Sequence, residues 1–98
     1  RVLADEPILA YTAKMVRETR RHDAVLLGAG PRGSVALLMA SKAWAAIQGR
    51  DFVTPDDVKR MALNVLRHRM VLRAESEMEG VTPAEVLKEV CSRLEVPR

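Results

Sequence analysis

The sequence predicts an all-α domain, a small bundle of about four helices with short extended pieces near Val25–Leu27 and Met70–Leu72. Three observations lead there. Apolar residues recur at helical spacing along most of the chain, and strand-like alternation is nearly absent. Cap residues with a proline one or two positions on (Asp5 with Pro7, Thr54 with Pro55, Thr82 with Pro83) mark repeated helix starts. The 98 residues are 48% hydrophobic but only 3% aromatic (Tyr11, Trp44 and Phe52), so one small core must be built from aliphatic side chains.

The first helix is expected from about Glu6 to His22. Ile8, Tyr11, Thr12, Met15, Val16 and Thr19 fall on one face. Asp5 suits the N-cap, and Pro7 sits in the first turn, where a missing N–H costs nothing. Lys14, Arg17, Arg20, Arg21 and His22 crowd the later turns, where cations suit the helix dipole.

A second helix is expected from about Pro31 to Gln48, ended by Gly49 in the left-handed region. After Arg32 and Gly33, only Ser34, Ser41, Lys42 and Gln48 interrupt its apolar coat, which predicts a central position. The third helix starts sharply in VTPDDV, with Thr54 as N-cap, Pro55 as first residue and Asp57 as the acid three positions on. Val58, Met61, Ala62, Val65 and Leu66 make its inner stripe. AESEMEG, 74–80, is polar and acidic and reads as a loop. VTPAEV then repeats the start signal, with Thr82 and Glu85 as a capping box. Leu87, Val90, Cys91 and Leu94 form the face of the last helix, which Pro97 terminates.

The net charge of +3, with signs interleaved, does not demand a nucleic-acid partner. One cysteine, Cys91, permits no internal disulfide and fits a reducing compartment. No metal-ligand cluster is visible in the sequence, and no apolar run approaches the roughly 18 residues of a membrane span. These features predict a cytoplasmic chain. The first residue is arginine rather than methionine, which reads as a piece of a longer protein.

The stretch LLGAGPRGSVALL, 26–38, poses the functional question. Gly28, Gly30 and Gly33 fit the spacing G-x-G-x-x-G, with Asp51 downstream. A dinucleotide site needs a strand–helix–strand unit, however, and after the helix the chain offers GRDFVTPDD instead of a buried strand. Pro31 also removes an N–H that a phosphate cradle would use. Two readings remain: a plain helix start, or a helix start that directs Arg32 at an anion.

The residues from Tyr11 to Leu72 resemble the C-terminal lid domain of MoxR-family AAA+ ATPases. The resemblance is carried by Tyr11, Thr19-Arg20, Leu27-Gly28-Ala29-Gly30-Pro31-Arg32, Gly49-Arg50-Asp51, Val53, Pro55, Asp57-Val58, Val65-Leu66 and His68-Arg69, and the TPAEVLKEV tail also fits. It covers nearly the whole chain, so residues 1–98 read as one lid domain. Gly30 stands where the family usually has serine, which removes a hydroxyl able to cap the helix.

The resemblance implies that Arg32 is the sensor-2 arginine, reaching the phosphates of ATP held by the large domain of the same subunit and coupling hydrolysis to lid movement. Gly30 and Pro31 would shape that site. For Tyr11 and Ile8 two readings stand: the adenine side of the cleft, or ordinary core packing. ATP and Mg²⁺ would bind in the full-length protein. The chain holds no phosphate loop, paired acids for Mg²⁺ or arginine finger, and by itself should be inactive. The family further implies a hexameric, chaperone-like ring, with the neighbouring subunits and von Willebrand factor A domain proteins as partners and no membrane or nucleic-acid role. The rival reading is a DNA-binding or histone-like interaction module, using Arg17, Arg20, Arg21, Arg67, His68, Arg69 and Arg73. His68 and Arg69 either pin the end of the third helix or meet a neighbour, and Arg50 and Asp51 are expected to make local turn contacts.

Overall fold

The capping chemistry sets the helix boundaries. The structure, a computed structural model, describes residues 2–97. Helix α1 spans Glu6–Arg21, with the Asp5 carboxylate accepting from the Ile8 N–H at 3.1 Å. Its inner face is the one the spacing gives: Ile8, Tyr11, Thr12, Met15, Val16 and Thr19 are all buried. The two threonines are tolerated there because each hydroxyl donates to a carbonyl of its own helix, Thr12 to Ile8 and Thr19 to Val16. The helix stops one residue earlier than expected, at His22, whose backbone is extended.

The two extended pieces form a small antiparallel ribbon: β1, Val25–Leu27, pairs with β2, Val71–Leu72. Helix α2, Gly30–Ile47, packs chiefly against α3, Pro55–Leu66, and α1. A 3₁₀ turn at Arg67–Arg69 leads into β2, and α5, Pro83–Arg93, closes the bundle against α1 and α3. Met15, Leu37, Val58, Leu66 and Val86 are fully buried at its centre. Each such side chain contributes on the order of 1.5–3 kcal/mol through burial. The backbone around Leu3 pairs with that of Phe52: Leu3 N–H donates to the Asp51 carbonyl and Val53 N–H to the Leu3 carbonyl.

Three expectations need correction. The segment predicted as a loop contains helix α4, Ala74–Met78, whose first turn donates back to the Arg73 carbonyl. It buries nothing, so no periodic apolar signal marks it, and Gly80 at φ +90° stops it. Helix α5 ends at Arg93, four residues before Pro97, because Leu94 leaves the helix to bury its side chain. Helix α2 is not wrapped on all sides. Only Gly33, Leu37, Ser41 and Ala45 are buried, one narrow stripe at four-residue spacing. Three of these are small, which lets neighbouring helices approach closely. Val35, Met39 and Ile47 are 64%, 61% and 74% exposed. Beyond α2, Gly49 has φ +78°, the left-handed conformation expected of it.

Candidate functional site

The glycine-rich stretch is a helix entrance, and each of its glycines answers a separate steric demand. A Cβ on Gly28 would lie 2.6 Å from the Arg20 Cβ and 2.7 Å from its Cα, so the chain leaving β1 crosses α1 at contact distance. Gly30 sits at φ +72°, a backbone that other residues adopt only with strain. A Cβ on Gly33 would meet the Ala29 Cβ at 2.5 Å, with Leu66 and Val16 next to it. The spacing therefore records two close approaches and one left-handed turn. The pairing of β1 is antiparallel, so the parallel sheet of a dinucleotide fold is not formed.

The start of α2 is electrostatically unusual. The N-cap Ala29 offers no side-chain hydrogen bond, and no acid occupies the first turn. Arg32 stands there instead, exposed and, among the described residues, without a hydrogen-bond or ion-pair partner. Free N–H groups and a guanidinium thus share one small surface, an arrangement suited to a phosphate. Pro31 lies between two hollows. One is an apolar surface formed with Arg32, Val35 and Ala36; the other is a cleft formed with Gly30, Ser34, Arg17 and Arg20.

Gly30, Pro31 and Arg32 are therefore brought together, and Tyr11 and Ile8 are not with them. Both lie on the buried face of α1, each 4% exposed. Tyr11 lines a separate hollow with Pro7, Ala10, Lys14 and the tail segment 95–97. Burial, with smaller contributions from Cys91 and Asp56, pushes its phenol up to about 12. Its hydroxyl is buried and has no partner among the described residues. Cys91 is half-buried, and burial likewise raises its thiol.

The expectation that Arg50 makes only turn contacts understates it. Its guanidinium grips the Asp57 carboxylate with two bonds of 2.6 Å and also donates to the Phe52 carbonyl. Asp57 in turn accepts from the Thr54 N–H, while Thr54 accepts from the Asp57 N–H, a complete capping box. The Arg50 guanidinium is the largest cause holding the Asp57 carboxyl below its ordinary value. The signal for this pair was the seven-residue step between Arg50 and the capping acid. His68 and Arg69 are exposed; Arg67 donates to His68 at 3.2 Å, beside a hollow reaching Thr82, Pro83 and Ala84. Among the described residues, no three of His, Cys, Asp or Glu gather as metal ligands, and no helix is long and apolar enough to cross a membrane.

Comparison with known proteins identifies the domain. A family model described as the AAA lid domain matches residues 17–90. The chain belongs to the AAA lid family. Its relatives place it in the MoxR branch. It is 42% identical over 96 residues to the uncharacterized protein YeaC of Bacillus subtilis, covering 98% of this chain and 30% of that one. It is 30% identical over 100 residues to chaperone MoxR1 of Mycobacterium tuberculosis, covering 93% of this chain and 26% of that one. The crystal structure of a proposed ATPase from Cytophaga hutchinsonii matches with a TM-score of 0.92 and 27% identity, over 99% of this chain and 32% of that one. The lid thus spans less than a third of the length of each of these proteins.

Proposed function

We propose that this lid is one domain of a longer AAA+ ATPase, closing over ATP held by a large domain, and that Arg32 is its sensor-2 arginine. The carrying observation is the unpartnered, exposed Arg32 in the first turn of a helix that has neither a side-chain cap nor an acid there. A cation so placed opposes the helix dipole unless an anion joins it. Bound ATP supplies the phosphoryl group to be transferred, with Mg²⁺ neutralising part of its charge. This chain supplies a planar cation for the charge on the transferred group. Loss of the γ-phosphate removes the partner of Arg32 and releases the lid.

Gly30 and Pro31 set the position of Arg32 in this reading. Adenine lies toward Pro7, Ala10, Tyr11 and Lys14, with Ile8 buried on the same helix. By likeness to the MoxR proteins, the whole protein works as a hexameric ring that remodels client proteins, with von Willebrand factor A domain proteins among its partners.

Arg32→Ala in the full-length ATPase is the test. The lid should keep its melting temperature, while ATP turnover falls about tenfold or more, as for loss of a charge-stabilising donor. Unchanged kcat together with unchanged nucleotide affinity would overturn the assignment.

A further inference from the structure

Arg17 and Arg20 have no place in the reading so far. They project from α1 into the cleft of about 260 Å³ whose opposite wall is Gly30, Pro31 and Ser34. We infer that this cleft is a second phosphate-binding element, in which Arg17 and Arg20 hold the polyphosphate chain of the nucleotide whose terminal group Arg32 meets. The inference rests on the sensor-2 reading and extends it to a second helix.

Three observations support it. First, the charge is unbalanced. Three arginines elsewhere meet carboxylates, Arg21 with Glu18, Arg93 with Glu89 and Arg50 with Asp57, and Arg60 lies over the Trp44 ring. Arg17 and Arg20 stand one turn apart on one face with no such partner among the described residues, and no acid lines their cleft. Two like charges at this spacing repel, and an anion between them relieves that repulsion.

Second, the cations come from a different element than Arg32, yet the two elements are locked in register. The contact of Gly28 with the Cα and Cβ of Arg20 fixes the root of that side chain against the turn that presents Arg32. Third, the surface is concave and small, bounded by α1 on one side and the α2 entrance on the other. That shape suits a short chain of phosphates better than the broad backbone of a duplex.

The Gly28 contact also makes the test clean. It involves only the backbone and Cβ of Arg20, so Arg20→Ala removes the charge and leaves the packing intact. In the full-length ATPase, affinities for ATP, ADP and AMP are measured for Arg17→Ala/Arg20→Ala, for Arg32→Ala, and for Arg17→Lys/Arg20→Lys. The double alanine variant should lose ATP affinity about tenfold, as for one charge-assisted contact, with a smaller loss for ADP and none for AMP. The lysine pair should recover most of it, and the melting temperature should not move. Equal losses for all three nucleotides would mean a structural role and overturn the inference. If Arg32→Ala impairs turnover while the double variant binds ATP normally, the cleft proposal falls and the sensor-2 reading stands. If the double variant loses ATP affinity while Arg32→Ala is silent, the cleft stands and the sensor-2 role falls. If both are silent, both fall. Loss of short-duplex binding with ATP affinity unchanged would assign the arginines to DNA instead and overturn the proposal.

Discussion

Helices α2 and α3 both begin with proline in the first turn, and there the likeness ends. At α3, Thr54 caps, Asp56 and Asp57 fill the first turn, and Arg50 clamps the capping acid, which is 2% exposed. At α2, Ala29 cannot cap, no acid is present, and Arg32 points to solvent. One start satisfies itself and stabilises the bundle. The other leaves its polar groups open, which is the condition for a helix end to serve something outside the chain. Helices α1 and α5 side with α3, each carrying a side-chain cap from Asp5 or Thr82. Helix α4 also lacks a side-chain cap but has Glu75 and Glu77 in its first turn, so among the described α-helices the absence of both cap and acid belongs to α2.

The comparison breaks most visibly at Asp57. Asp57→Ala removes the carboxylate half of the capping box and leaves the Arg50 guanidinium without its partner, and should cost about 2–3 kcal/mol in chemical denaturation. The same change at the α2 entrance has no counterpart, because nothing there is paired. Loss of less than about 0.5 kcal/mol, the level of an ordinary surface change, would mean that the α3 start is no more self-sufficient than its neighbour.

A subtler version uses acid. The folded Asp57 carboxyl lies below its ordinary value of 3.8, with the Arg50 hydrogen bonds as the largest cause. Its contribution is therefore complete above that value and is lost as the pH falls from about 3.8 through the lower folded value. Denaturation midpoints should drop over this window, and Asp57→Asn should flatten that part of the profile. A variant profile as steep as the parent's would shift the acid sensitivity to other carboxylates.

The smallest effect has the opposite sign. Arg32→Glu places an acid where the α2 dipole favours one, and should stabilise the lid by about 0.5 kcal/mol. In the proposed full-length ATPase the same variant should turn over ATP more slowly than Arg32→Ala, since it adds repulsion to the lost attraction. A helix entrance tuned for stability alone would show no such opposition between melting temperature and activity.

Most of the fold was legible because it rests on local rules. The inner face of α1 and the capping box of α3 follow from spacing and cap residues within a few positions of one another. What the residues concealed depends on distance or on the absence of burial. Helix α4 has no buried side, so no period announces it. The exposure of Val35, Met39 and Ile47 depends on which neighbours reach α2, a tertiary fact that composition cannot carry. At the site, Arg32 could be singled out from the motif, and its lack of a partner belongs to the structure. Arg17 and Arg20 look in sequence like any basic helix end; only the crossing of Gly28 over α1 sets them beside Pro31.

The aliphatic core has a practical corollary. Trp44 is the single tryptophan of the chain, and the Arg60 guanidinium lies over its ring at 4.3 Å from the centroid. It sits on the same helix as Arg32, at the seam with α3. Its fluorescence is an intrinsic gauge of that seam, readable without any attached dye, whenever something tugs on the arginine three turns away.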